Sequence, residues 1–354
     1  MQGRRQQWWI YWSLLPFFCG IAHPLLQGIN WFGMETDHEC LGGLWKHSLS
    51  WYLEGLSEHG FQALRIPLCA QSLLENPYLS HEVIAAEPLF SSKATRYVDV
   101  LDTLIQYTAS SFYLVLDIHR LKPAWTTPLW YIPDDPFWTY DRLWEVYDLL
   151  CERYAIPYSH VIGIDLFNEP HYMATFGDGN VSTDWRLFTQ STVQYLVDRY
   201  PVLFEHRSPD FFLSISGIDW GKNVSGVLAY PYNLSCHYQD SIVFSPHLYG
   251  PSLNYIASYE PQDLYRYWNQ LFGDIQNAPL WIGEWGGRYN DPNDQLWMTI
   301  FRDYMLVSPS SIQASFFWAL NPDSKDVDGI LDASWDTWNE PLIAFLAPLS
   351  LPTH

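Results

Sequence analysis

Eight short runs of branched and aromatic apolar residues recur along this chain, each followed by a stretch with helical spacing, and that alternation limits the fold more than any other feature. The runs predict strands at Leu26–Trp31, Ala63–Pro67, Tyr113–Ile118, Val161–Phe167, Phe212–Ser216, Ile242–Ser245, Leu280–Gly283 and Ala314–Trp318. The intervening spacing predicts helices at Leu44–Glu58, Thr95–Ser110, Asp141–Tyr154, Asp184–Glu205, Gln262–Gly273, Asp294–Val307 and Glu340–Leu346, while Asn223–Tyr238 carries only a weak helical pattern. Strands joined by helical crossovers lie parallel. Eight such pairs make a closed α/β barrel, the (β/α)8 or TIM barrel, the economical fold, and it uses 354 residues as one unit. No Ser/Thr/Pro-rich linker or repeat divides the chain, so residues 23–354 are expected to form a single domain.

Composition narrows the partners. Hydrophobic residues make up 48% of the chain and charged residues only 16%, against roughly 25% charged in ordinary soluble proteins. The excess is aromatic, with 19 Trp, 24 Tyr and 19 Phe, which fills cores and, in an open groove, stacks on the apolar faces of sugar rings. A formal charge of −21 argues against nucleic acid or an anionic membrane as partner, because phosphate-binding surfaces need positive patches. A neutral polymer is the easier partner, bound by a chain expected to work as a monomer.

Residues 1–22 stand apart. Arg4 and Arg5 precede fifteen uncharged residues, Trp8 to Ala22, fewer than the roughly 20 a spanning helix needs and close to a secretory leader, which implies a secreted protein. The competing reading is an aromatic N-terminal hairpin closing the bottom of the barrel. Among the cysteines beyond this segment (Cys40, Cys69, Cys151 and Cys236), the first two both follow predicted strands at one end of the barrel, where an exported protein could bridge them. The sequons at Asn180, Asn223 and Asn233 would accept glycans in a eukaryotic host.

Barrel enzymes carry their chemistry at the C-terminal ends of strands, and nearly every predicted end here bears a polar or aromatic group. Arg65 closes the second strand, His119 the third, Asn168 and Glu169 the fourth, His247 and Tyr249 the sixth, Glu284 the seventh and Trp318 the eighth. Any one alone reads as a capping, ion-pairing or packing residue; their coincidence is the signal. Two carboxylates at two strand ends are what cleavage of a sugar–sugar bond needs, one to protonate the leaving oxygen and one to attack the anomeric carbon. No His-Glu-x-x-His, phosphate-cradling glycine loop or Gly-x-Ser-x-Gly elbow is present, so no metal, nucleotide or other cofactor is called for. The loop Leu121–Pro136, with Trp125, Trp130 and Trp138 in and beside it, is long enough to wall a groove.

Seven segments, Gly28-Ile-Asn-Trp-Phe-Gly-Met-Glu-Thr36, Leu64-Arg-Ile-Pro67, Asp117-Ile-His119, Phe167-Asn-Glu-Pro-His171, Phe244-Ser-Pro-His-Leu-Tyr-Gly250, Trp281-Ile-Gly-Glu-Trp-Gly286 and Phe317-Trp-Ala-Leu-Asn-Pro-Asp-Ser324, carry a family resemblance. Together they resemble family 5 of the glycoside hydrolases, above all its secreted bacterial endo-β-1,4-glucanases. The resemblance implies a retaining glycoside hydrolase acting on β-1,4-linked glucan of the cellulose type. Glu169 would be the acid/base, its proton held by desolvation and by the negative Glu284 nearby. Glu284 would be the nucleophile, with Arg65 and Tyr249 against its carboxylate. Asn168 would meet the sugar 2-hydroxyl, His119 and His247 would position hydroxyls and tune the carboxylates, and Trp318 would be the stacking floor beneath the sugar being cleaved. Trp31, Trp125 and Trp285 are further candidate platforms, each equally readable as core or rim packing.

The same barrel and glutamates also serve β-mannanases, exo-acting glucanases and glycolipid-directed glycosidases, and a barrel that binds glycans without cutting them is the non-enzymatic alternative. Strand alternation puts Asp165 on the face of Glu169, inside the barrel, where it needs a partner such as Arg65. His171 is expected to orient the loop around the acid/base. Asp323, Asp326 and Asp328 form an acidic turn without the regular spacing of a calcium loop.

Overall fold

The computed structural model describes residues 25–90, 94–205, 207–275, 278–307 and 312–350. The N-terminal segment 1–22, whether leader or hairpin, lies outside them. The alternating pattern becomes one parallel sheet closed on itself: β1 (Leu26–Asn30), β2 (Ala63–Cys69), β3 (Tyr113–Arg120), β4 (Val161–Asp165), β5 (Phe212–Ser216), β6 (Ile242–Ser245), β7 (His247–Tyr249), β8 (Leu280–Gly286) and β9 (Ile312–Phe317). Neighbours follow the order β6-β5-β4-β3-β2-β1-β9-β8-β7, and a β6–β8 pairing at Phe244 and Leu280 closes the ring. β6 and β7 are one stave interrupted at Pro246, which has no N–H for a ladder bond. The barrel therefore has eight staves.

Crossover helices lie where the spacing puts them: α1 (Leu49–Glu58), α2 (Tyr97–Thr108), α3 (Arg142–Leu150), α4 (Trp185–Arg199), α5 (Pro261–Trp268), α6 (Pro292–Val307) and α7 (Glu340–Leu346). Their ends differ from the sequence pattern for local reasons. α1 begins five residues later than Leu44 because the Ser48 hydroxyl accepts from Trp51 N at 3.3 Å and caps it there. α4 stops at Arg199 because Pro201 cannot donate into a helix and disfavours helical geometry at Tyr200. α3 and α5 each run on into a single π turn, Cys151–Ala155 and Asn269–Gly273. The weak pattern after β5 becomes two one-turn helices, Gly226–Ala229 and Cys236–Gln239.

Inside the barrel, buried Ala63, Val115, Val243, Trp281, Ala314 and Phe316 fill the floor. Side chains on a strand repeat their direction every second residue, so Arg65 and Asp117 point inward just above Ala63 and Val115. Arg65 thus sits mid-strand, not at a strand end, because β2 runs on to Cys69 in register with β3. Cys40, Cys69 and Cys151 are free, buried thiols. Cys40 and Cys69 do not form the bridge left open by the sequence; their Sγ atoms turn to different carbonyls, Val83 O at 3.9 Å and Leu121 O at 3.8 Å.

Trp130 and Trp138 are fully buried and root the loop Leu121–Pro136 in the helical layer. Trp130 lies 5.0 Å, ring to ring, from both Trp185 and Phe188 of α4. Trp130→Ala is expected to lower unfolding free energy by about 3–5 kcal/mol, read by urea denaturation.

Candidate active site

One guanidinium organises the polar layer above the barrel floor. Each of the five Arg65 N–H donors has an acceptor: Nε and Nη2 donate to Asp165 Oδ2 at 3.1 and 3.0 Å, and Nη1 donates to Asn30 Oδ1 at 3.0 Å and Glu284 Oε1 at 2.7 Å. The fifth, on Nη2, goes to Asn168 Oδ1 at 3.0 Å. Asp117 Oδ2 adds an ion pair 3.0 Å from Nη2. One buried cation thus faces three carboxylates, so the anionic cluster raises the Arg65 pKa against the pull of burial. Burial pushes Asp117 up to about 7 and Asp165 up to about 6, with Arg65 pulling both back. The structural partner that Asp165 needs is therefore Arg65.

Glu169 lies four residues past the end of β4, in a loop tied back to the barrel by Asn168 N donating to Ile118 O at 2.9 Å. Its φ is +50°, a left-handed conformation that costs a residue with a Cβ about 1–2 kcal/mol. His171 helps hold that turn: its Nδ1 donates to Glu169 O at 2.6 Å, and its ring stacks on Trp220 at 3.5 Å. Burial pushes the Glu169 carboxyl up to about 8, with Arg65 and Lys222 lowering it and Asp117 and Asp165 raising it. Asp117 and Asp165 are thus the like charges that add to the effect of burial. The carboxyl still keeps 17% of its side-chain surface open to the cleft.

Glu284 sits within β8, where the register with β9 slips between Ile282 and Trp285. A slip of this kind re-aims side chains. One oxygen of Glu284 accepts from Arg65, and the other accepts from Tyr249 OH at 2.5 Å. His247, fully buried, places Nδ1 2.9 Å from Glu169 Oε1 and 3.7 Å from Glu284 Oε1. Burial drives its pKa down to about 4, so the ring bridging the two acids is neutral. Glycines make that position possible: a Cβ on Gly221 would meet the ring at 2.7 Å and one on Gly283 would meet Nε2 at 2.7 Å.

Glu169, His247 and Glu284 each bring an oxygen or ring nitrogen within 4.8 Å of the others, and among the described residues no other grouping has metal-ligand spacing. Both Glu284 oxygens are already taken by Arg65 and Tyr249, so a cation there would face a guanidinium. Two acids this close suit a shared reaction at one carbon better than a metal.

These groups open into a cleft of about 770 Å³ that His119, Asn168, Tyr249 and Trp318 also line. The Trp318 ring stacks on Phe32 at 5.3 Å with 3° between planes, and on His119 at 5.6 Å. Trp31 and Trp285 are fully buried and belong to the core, not the cleft. Trp125 is half exposed, with Lys122 5.0 Å above its ring. Trp220 and Lys222 line the cleft instead; sequence reasoning missed them because they lie in the turn beyond β5, which carries no motif, and Asp219 and Trp220 both have φ near +60°.

Residues 24–324 match the cellulase family, glycosyl hydrolase family 5. An endoglucanase from Paenibacillus polymyxa is 30% identical over 92% of this chain and 83% of its own length. The major extracellular endoglucanase of Xanthomonas campestris is 29% identical, over 92% of this chain and 67% of its own. Among solved structures, an endocellulase from Pyrococcus horikoshii in complex with cellotetraose superposes with a TM-score of 0.80 at 27% identity, covering 92% of each chain.

The raised Glu169 pKa has a stability consequence. Below about pH 4.5 the carboxyl is protonated folded or unfolded; as pH rises to about 8 only the unfolded chain ionises freely, so the native state loses stability over that interval. Glu169→Gln is therefore expected to gain in thermal midpoint relative to the parent as pH rises from 4.5 to 8, and melting curves across that range check it.

Proposed function

The chain belongs to glycosyl hydrolase family 5, and on that footing we propose that it cuts β-1,4-linked glucan within the chain by a retaining double displacement. The observation that carries this reading is the spacing of Glu169 and Glu284, whose nearest oxygens lie within 4.8 Å. Retaining glycosidases hold their two carboxyls about 5–5.5 Å apart, whereas an inverting pair needs about 6.5–9.5 Å to admit a water.

In the first step an oxygen of Glu284 attacks the anomeric carbon, the bond to the leaving oxygen breaks, and Glu169 gives that oxygen its proton. In the second, Glu169, now ionised, takes a proton from a water whose oxygen displaces Glu284 from the same carbon. Arg65 and Tyr249 stabilise the Glu284 carboxylate as nucleophile and as leaving group. Burial holds the acid proton on Glu169. Neutral His247 passes between both acids without adding charge. Trp318, braced by Phe32, offers its ring as floor to the sugar being cleaved. Asn168 meets the 2-hydroxyl, and His119 stands beside it.

The endoglucanase relatives and the cellotetraose-bound neighbour support cellulose-type chains as substrate. Export is part of the same reading: one relative is named as extracellular, and no helix among the described residues is long and apolar enough to cross a membrane. Residues 1–22 would then be removed as a leader, which N-terminal sequencing of exported protein checks.

Reducing ends are expected from carboxymethyl-cellulose and mixed-linkage glucan in preference to mannan and xylan; a reversed preference would sink the substrate assignment. Glu169→Ala should lose about 10²–10⁴-fold on polysaccharide yet keep its turnover of aryl glycosides with nitrophenolate leaving groups, which need no proton. Glu284→Ala should form no covalent glycosyl-enzyme in intact mass spectra.

A further inference from the structure

Asp117 has no exposed surface and cannot touch a substrate, yet its contacts lead in two steps to Asn168. The hydrogen-bond directions along that path are fixed by elimination. Arg65 can only donate, so the Asn168 atom 3.0 Å from Nη2 is its oxygen, and its amide nitrogen is the atom turned 3.2 Å from His119 Nε2. An amide nitrogen can only donate, so Nε2 of His119 must be bare and the ring proton must reside on Nδ1. Nδ1 lies 2.6 Å from Asp117 Oδ2, which is held beside Arg65 by the 3.0 Å ion pair. Three hydrogen bonds thus run one way, from Arg65 Nη2 to Asn168, from Asn168 to His119 and from His119 to Asp117, and the ion pair of Asp117 with the same Arg65 nitrogen closes the circuit.

We propose that Asp117 is a positioning residue that, by fixing the tautomer of His119, sets which hydrogen Asn168 presents to the sugar 2-hydroxyl. Of the two Asn168 amide hydrogens, one goes to His119, which leaves the other for a substrate in the cleft that Asn168 lines. With the opposite tautomer, an N–H of His119 would oppose an N–H of Asn168. Asn168 could relieve that only by turning its amide over, which would set its NH2 against the Arg65 guanidinium, another donor. The carboxylate of Asp117 removes this second arrangement. His119 is neutral, its pKa lowered to about 4 by burial, as a one-proton ring requires.

This inference rests on the 2-hydroxyl contact assigned to Asn168 above, and substrate chemistry separates the two. Aryl β-cellobiosides with and without the 2-hydroxyl on the sugar that carries the aryl group are turned over by the full-length protein, Asp117→Ala and Asp117→Asn. The parent should favour the 2-hydroxyl substrate; no preference would overturn the Asn168 contact and this inference with it. In both variants kcat on the 2-hydroxyl substrate should fall about 10–100-fold, as when the group that orients a metal-bound histidine is lost, with KM little changed. The loss on the 2-deoxy substrate should be about tenfold smaller or less still. Equal losses on both substrates would leave Asp117 a structural residue while the Asn168 contact stands. Long-range nitrogen–proton spectra of the unmutated protein give an independent reading: His119, assigned by its absence in His119→Gln, should be the Nδ1–H tautomer, and an Nε2–H signal would overturn the proposal.

Discussion

A single buried positive charge holds the active end of this barrel together. Arg65 lies 2.7 Å from Glu284 and 3.0 Å from both Asp117 and Asp165, with almost no solvent contact. Burying one ion is costly, and a lone partner seldom repays the desolvation. Here every N–H donor of the guanidinium has an acceptor, so the cation is fully solvated by protein. The carboxylates outnumber the cation, and burial accordingly raises the pKa of Asp117 and Asp165. Removing Arg65 would leave three acids in a dry barrel without the cation that they share. A lysine could not replace it, because a point charge with three donors cannot reach five acceptors spread over four staves and a loop.

From that centre the two glutamates acquire different characters through position alone. Glu284 receives the guanidinium directly and a tyrosine hydroxyl on its other oxygen. Glu169 receives neither. Its nearest polar partner is a histidine kept neutral by burial, and its own proton is held by the same desolvation. The asymmetry needs backbone work as well: a left-handed φ at Glu169, and glycines where His247 crosses close to two other segments. The fold thus stores modest strain where chemistry needs an awkward direction, and the helical layer with its buried tryptophans over-determines the rest.

Much of this was legible in the sequence. Phe212–Ser216, Ile242–Ser245 and Glu340–Leu346 have the same limits in the pattern and in the structure, because Pro, Gly and capping residues mark their ends. The site residues could be gathered because each lies at or just beyond a strand, and strand order in a barrel carries them to one rim. Direction is what the pattern misplaced at Arg65, which stands one layer deeper than a strand end, and what it left open elsewhere: Trp31 and Trp285 face the core, and the Cys40 and Cys69 thiols point to separate carbonyls. Trp220 escaped notice because a tight turn has no periodicity.

The sequence by itself pointed to the barrel, to the runs that become its staves and to the two glutamates, since periodicity and turn chemistry are local properties written every few residues. Only the tertiary structure decided that burial raises the pKa of Glu169, which way the amide of Asn168 turns, and which tryptophans meet the cleft. Those outcomes depend on burial and on distances between side chains brought together from across the chain, Arg65 and Glu284 foremost. Electrostatic energy in a dry interior varies with such distances more steeply than any local pattern can encode.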